Sequence, residues 1–397
     1  MQCPKCNAAH PEAAHFCHVC GTDLLSTDTS RRRHFAVKPD EPVVSFSLVS
    51  TIMPRGSSER PQTYRVALLV VLTAALASAI FGALPIAVLL AAFSIPIVYI
   101  VYVYDVNLWE DEPVPVTLMA FLLTLVLGLG WTWAWLAMRD SAAPTVGMDL
   151  QPQFSLMGLV ITAVLAPVVG EILRQIGPVF LASRPKYDDL MDGLTFGIIS
   201  GVAYAAADTI VKQWPLITAG FVGPQDPGMW ASLMFSEGFI KPLVIGTATG
   251  LACAEFSGLG EGYDGFSGRY FARVLEAMVY NVLYFGGVYL LTFLGNPLLS
   301  VLLSIAWGLI LLAVLVVRVR TVLHTGLLEA ALEHHARASG VGPEGRLEFC
   351  PACELPLLPD AAFCSACGVA ARTASKAHPA APVGAPAAPS IEEEEQK

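Results

Sequence analysis

Eight cysteines form two copies of one pattern: Cys3, Cys6, Cys17 and Cys20 near the start, and Cys350, Cys353, Cys364 and Cys367 near the finish. Each copy is a CxxC, ten residues and a second CxxC, and each closes on Phe-Cys-x-x-Cys-Gly, at Phe16–Gly21 and Phe363–Gly368. Four thiolates at this spacing can surround one Zn²⁺ tetrahedrally, and a glycine after the last ligand permits the tight turn that the geometry needs. The pattern predicts two small zinc-ribbon modules, residues 1–24 and 346–370, each with one structural zinc. Modules this short take most of their folding energy from the metal, so chelation should unfold them. Disulfide pairing is the alternative and requires an oxidising compartment. The ninth cysteine, Cys253, lies in an apolar run and reads as a small packing residue.

The remaining chemistry must come from ionisable residues inside apolar stretches: Glu171 with Arg174, Asp208, Glu237 with Lys241, and Glu276 with Tyr280 and Asn281. Spacings of three and four put Glu171 with Arg174, and Glu237 with Lys241, on common helix faces. A charge in hydrocarbon is costly and needs a partner or a wet cavity. Each pair therefore reads either as a self-neutralised ion pair facing a bundle interior or as part of a site.

The elements that carry these residues are membrane helices. Of the 397 residues 55% are hydrophobic and 14% charged, and the mean hydropathy is +0.60, which excludes an ordinary soluble domain. Apolar runs long enough to cross a bilayer fall near 65–83, 84–104, 115–138, 155–180, 190–211, 229–254, 271–294 and 297–317. The fold class expected is all-α: a polytopic bundle of about eight transmembrane helices over residues 63–318, with a zinc-ribbon module at each terminus. Residues 25–62 read as a basic disordered linker, 319–345 as a cytosolic helix and linker, and 371–397 as a disordered tail ending in acidic residues. No secretory signal precedes the first module in this sequence.

Basic residues gather on one side of the expected spans. Arg31, Arg32, Arg33, Lys38, Arg55, Arg60 and Arg65 precede the first span, Arg184 and Lys186 follow the fourth, Arg269 and Arg273 precede the seventh, and Arg318 and Arg320 follow the eighth. Arg139 and Lys212 lie opposite. The positive-inside bias puts both termini in the cytoplasm of a multi-pass plasma (inner) membrane protein, a reducing setting that favours metal over disulfides. Trp131, Trp133, Trp135 and Trp214 fit an interfacial belt on the far side.

At the intramembrane charges the chain resembles the PrsW-like glutamic-type intramembrane proteases, distant relatives of the CAAX prenyl endopeptidases. The likeness runs over about residues 60–320 on four motifs. An acidic stretch from Asp105 through Glu110, Asp111, Glu112, Pro113 and Pro115 is similar to the family's acidic loop. Ala166-Pro167-Val168-Val169-Gly170-Glu171-Ile172-Leu173-Arg174 is similar to its Glu-Glu-x-x-Lys motif after Ala-Pro. Asp192, Gly193 and Gly197 are similar to its Asp-Gly-x-x-x-Gly helix start, and Tyr204 with Asp208 to its aromatic-x-x-x-Glu motif. The resemblance implies a helical membrane fold and hydrolysis of membrane protein substrates.

The departures are equally specific. Gly170 stands where the family's water-activating glutamate is expected, Arg174 replaces lysine, Asp208 replaces glutamate, and Thr209 replaces the usual asparagine. Two later helices should each bring a histidine, yet those stretches read Lys241–Gly246 and Ala277–Asn281. Hydrolysis needs a base for water, an acid for the amine and donors for the oxyanion. The chain thus reads as a degenerate pseudoprotease that binds transmembrane segments and recruits cytosolic protein partners through its ribbons. The alternative is an active endopeptidase using Glu171 and Asp208, supported by Arg174, Lys241, Tyr280 and Asn281. A small-solute transporter is the third reading, weakened by the lack of a repeat between the halves. The ribbons carry few basic residues, so nucleic acid is not the partner expected.

Overall fold

The computed structural model describes residues 2–24, 63–106, 114–142, 154–218, 226–342 and 345–371, apart from positions 12, 185, 186, 188, 261 and 346. The basic linker, the acidic stretch 107–113 and the tail from 372 onward lie outside the described residues. Two units are present, a membrane unit, Val37–Leu327, and a terminal unit made of Met1–Ala36 with Leu328–Lys397.

The membrane unit follows the eight apolar runs. Its helices are α1 (Thr63–Ile80), α2 (Leu84–Val106), α3 (Val114–Ala142), α4 (Leu156–Ala182), α5 (Leu190–Lys212), the short α6 (Trp214–Thr218), α7 (Pro227–Ser257), α8 (Gly268–Leu291) and α9 (Pro297–Ala336). From α3 onward, six of them are long and apolar enough to cross a membrane, whereas the apolar stretches Arg65–Ile80 and Leu84–Tyr99 are shorter. The chain is a helical membrane protein, and among the described residues the only β pairing is four isolated bridges in the terminal modules. The connections between α1 and α2 (residues 81–83) and between α8 and α9 (residues 292–296) are short. Asn296 caps α9 by accepting from the Leu299 N–H at 3.1 Å, immediately before Pro297 begins the helix.

Helix α5 is the axis of the bundle, buried along nearly its whole length, and it packs most extensively against α7 and α3. The α5–α7 crossing is close because small residues line it. A methyl group on Gly201 would lie 2.5 Å from the Gly246 Cα, and one on Gly197 would lie 2.7 Å from the Gly250 Cα. In lipid, where apolar surface alone does not drive association, such small-residue stripes let backbones approach and gain van der Waals contact. One of these glycines, Gly197, comes from the Asp-Gly-x-x-x-Gly motif, which therefore has a packing reason.

Helices α4 and α7 each contain a π-helical turn, Val160–Leu165 and Ser236–Ile240. Each turn ends just before an Xaa-Pro step, Ala166-Pro167 and Lys241-Pro242. Proline cannot donate to the preceding turn and crowds its carbonyl, and a one-residue widening of the helix absorbs the misfit. The two turns sit beside the ionisable residues singled out above. Leu311, Leu312, Leu315, Val316 and Val319 of α9 complete the core against α5, α7 and α8.

Of the tryptophans, Trp133 is exposed and meets Trp214 edge-on at 6.4 Å. Trp135 is buried instead, with the Lys212 ammonium 4.7 Å above its ring, and the Trp131 indole N–H donates to the Ala166 carbonyl at 3.3 Å. These two serve helix packing rather than a belt.

Candidate functional site

Among the described residues of the membrane unit, two separate charge clusters are largely buried, while Arg273, Glu255, Glu276 and Arg318 form a more exposed one. The first centres on Glu171 of α4, whose side chain is 0% exposed, as is that of Arg174. Glu171 Oε2 accepts from Arg174 Nη2 at 2.5 Å and Nε at 3.2 Å, from the Thr249 hydroxyl of α7 at 3.1 Å, and from the Asn281 amide of α8 at 3.1 Å. Its Oε1 accepts from the Gln175 amide at 2.6 Å. Gln175 is fixed in turn, its Oε1 accepting from the Cys253 thiol at 3.1 Å and the Tyr270 hydroxyl at 3.3 Å. The Arg174 guanidinium lies 4.6 Å from the Tyr204 ring centroid, and the Arg174 carbonyl accepts from Ser200 Oγ at 2.6 Å. Three helices thus supply donors to one carboxylate. Two buried atoms, Arg174 Nη1 and Asn281 Oδ1, have no protein partner.

Gly170, beside Glu171, is enclosed. A methyl group there would lie 2.6 Å from the Tyr204 hydroxyl oxygen and 3.1 Å from Arg174 Nη1. The space of a side chain at this position is already taken by the aromatic residue of the Tyr204–Asp208 motif.

The second cluster joins α5 and α7. Lys241 Nζ lies 3.0 Å from Asp208 Oδ2 and also contacts Glu237 Oε2, while Lys212 Nζ lies 3.0 Å from Asp208 Oδ1. The Thr209 hydroxyl donates to Glu237 Oε2 at 2.8 Å. Two carboxylates and two ammonium groups cancel, which is how a buried charge group becomes tolerable. Asp208 therefore belongs with the lysines and Glu171 with Arg174. Of the supporting residues expected, Asn281 joins the Glu171 cluster and Lys241 the Asp208 cluster. Tyr280 is only partly buried, packed against the bundle core.

Several participants were not singled out from the sequence. Gln175 and Thr249 are uncharged, and no spacing rule marks a lone Thr or Gln in an apolar run. Cys253 packs as expected yet also donates to Gln175. Lys212 ends an apolar run, where it reads as a flanking charge; its place one turn after Asp208 was the available signal.

The terminal unit holds the two cysteine modules. In each set the four Sγ atoms all lie within 4.8 Å of one another. Sγ separations are 3.7 Å for Cys3–Cys20, 3.4 Å for Cys6–Cys17, and 3.7 Å for both Cys350–Cys367 and Cys353–Cys364. These are far beyond a disulfide length of about 2.0 Å, and they approach the edge of about 3.8 Å of a tetrahedron with metal–sulfur bonds of about 2.3 Å. Both sets could hold a metal ion. The Lys5 N–H points at Cys3 Sγ at 3.4 Å and the Cys20 N–H at Cys17 Sγ at 3.3 Å, as the knuckle turns require. Hydrogen bonds from the Thr22 side chain and backbone pull the Cys20 thiol down to about 6, readying it as a thiolate ligand.

The modules repeat each other in detail. Bridges Gln2–Ala9 and Phe16–Asp23 recur as Phe349–Pro356 and Phe363–Ala370, and Asn7 and Gly21 share positive φ with Glu354 and Gly368. They also pack together. The N–H groups of His15 and Phe16 donate to the Ser365 carbonyl, both at 2.9 Å, and those of Ala362 and Phe363 donate to the His18 carbonyl at 2.9 and 3.0 Å. Helix α9 runs on to Ala336, which is buried with Cys350, Leu357, Leu358, Ala361 and Cys364 in one apolar cluster. The modules are thus less bare of core than their size suggests.

Residues 112–220 match the PrsW family of intramembrane metalloproteases. No curated protein and no solved structure matches the chain. The PrsW match covers α3 to α6 and so contains Gly170, Glu171, Arg174 and Asp208, but not the α7 and α8 partners Glu237, Lys241, Thr249 and Asn281. It is narrower than the resemblance over 60–320.

The description of the PrsW family implies a catalytic metal, which would need about three nitrogen or oxygen ligands and an open position. The described residues of the membrane unit do not fit one. No histidine occurs between positions 35 and 323. Both Glu171 oxygens are engaged by donors, and the Asp208 and Glu237 carboxylates flank the Lys241 ammonium, where a metal cation would have to sit. Among the described residues, groups of three or more His, Cys, Asp or Glu converge only at the two cysteine sets.

Proposed function

We propose that this PrsW-related membrane protein is a catalytically silent member of its fold, which binds transmembrane segments of other proteins without cutting them. One observation carries this reading: the Glu171 carboxylate is fully enclosed and engaged at both oxygens by Arg174, Gln175, Thr249 and Asn281. A general base must accept a proton from water. Glu171 could do so only by giving up a buried guanidinium, and the family's neighbouring glutamate is absent at Gly170. Binding of a transmembrane segment is the part of the family's work that needs neither group.

The cysteine sets are read as two structural zinc sites, on the tetrahedral spacing of their sulfurs and the preference of thiolates for that ion. The distribution of arginine and lysine supports a cytoplasmic position for both modules. There the modules can engage a cytosolic protein.

The test is reconstitution of the full chain with a single-span membrane substrate. The expected result is cross-linking of an intact substrate to the protein, with no product. Cleavage that disappears in Glu171→Gln would overturn it.

A second reading, residual endopeptidase activity, is favoured by the two unpartnered buried atoms, Arg174 Nη1 and Asn281 Oδ1. They are a donor and an acceptor that one water or one peptide group could satisfy. In that reading Glu171 and Asp208 act together, and cleavage would depend on both.

A further inference from the structure

The two terminal modules meet through equivalent atoms in opposite roles. The phenyl ring of Phe363 covers Gly21, where a methyl group would lie 2.9 Å from it, and the ring of Phe16 covers Gly368 at the same distance. Each phenylalanine immediately precedes the third cysteine of its own set, and each glycine immediately follows the fourth. The carbonyls that receive the cross-module hydrogen bonds belong to His18, between Cys17 and Cys20, and to Ser365, between Cys364 and Cys367.

Every element of this contact is therefore part of a metal-binding knuckle. A CxxC turn is held in shape by the ion that its two sulfurs share. When that ion leaves, the turn opens, its central carbonyl moves, and two N–H groups of the other module lose their acceptor. The glycine shelf under the opposing phenyl ring is lost in the same step. Cys17 and Cys364 are fully buried in this arrangement.

We infer that the two cysteine modules, separated by the whole membrane unit in sequence, are halves of one two-metal clasp in which the loss of the ion from either half loosens the ion in the other. The inference rests on the reading of both sets as zinc sites. It makes the chain ends a joint responder to a thiophilic divalent cation rather than two independent arms.

The experiment uses the full chain, purified in detergent with zinc, and follows bound zinc and its release to a chromophoric chelator. Two zinc ions per chain are expected in the native sequence. In Cys353→Ser the amino-terminal zinc should leave at least tenfold faster than in the native chain. Phe363→Ala keeps all eight ligands and should accelerate release from both sites by a similar factor. Unchanged release in Phe363→Ala, together with one zinc retained at the native rate in Cys353→Ser, overturns the coupling while leaving two separate zinc sites. A native chain that holds no zinc overturns the metal reading and the coupling with it.

Discussion

The Tyr204 hydroxyl stands 2.6 Å from the point where a side chain on Gly170 would begin. The Tyr204 ring thus fills the space beside Gly170, and the Arg174 guanidinium is stacked on the same ring. A side chain introduced at Gly170 therefore has to displace Tyr204 or Arg174.

Gly170→Glu should destabilise the protein without conferring cleavage. Overpacking at a tight position costs about 1–3 kcal/mol. Thermal unfolding in detergent should show a lower midpoint, and a single-span substrate should stay intact. Cleavage by this variant would mean that the space at Gly170 opens more readily than the packing implies.

Removing either member of the Glu171–Arg174 pair should cost far more than removing both. A buried ion stripped of its partner costs about 3–5 kcal/mol, whereas replacing a whole pair by apolar groups is often near neutral. Glu171→Gln and Arg174→Met should each sharply lower denaturation midpoints, with a strongly non-additive double variant. Additive effects would show that the pair is not the unit that carries the site. Arg174→Lys should not rescue, since an ammonium cannot match both the Glu171 contact and the stack on Tyr204.

In the second cluster, Lys241→Met leaves Asp208 and Glu237 buried with Lys212 as the remaining cation of the four. It should destabilise by several kcal/mol, the order expected for an uncompensated buried charge. Adding Glu237→Gln should recover part of that loss. Failure of the second change to help would indicate that Lys241 acts through packing.

Gly201→Leu should separate α5 from α7, because the added side chain meets the backbone of Ile245 and Gly246. Both charge clusters straddle these two helices, so the variant should disturb them together. Cysteine pairs placed across the α5–α7 crossing would report the change as lost cross-linking.

Much of this was legible in the sequence because membrane helices are long and apolar, and because thiolate spacing is a local signal. The eight apolar runs became helices, and the repeated cysteine pattern became two four-sulfur clusters that could hold a metal. The pairings of Glu171 with Arg174 and of Glu237 with Lys241 followed from helical spacing on single helices. What spacing could not give was the partnering between helices. Asp208 meets Lys241 across α5 and α7, and Glu171 meets Thr249 and Asn281 from α7 and α8, through contacts that depend on how closely glycine stripes let backbones approach. The enclosure of Gly170 was hidden for the same reason. The docking of the two modules was equally out of reach, since Phe16 and Gly368 lie at opposite ends of the chain.

That docking has a consequence for biosynthesis. Its amino-terminal half leaves the ribosome before α1 and its carboxy-terminal half after α9, so the completed contact exists only in a chain translated past α9. A nascent chain that stalls earlier carries an amino-terminal knuckle without its counterpart, an unfinished surface that a chain translated past Gly368 no longer presents.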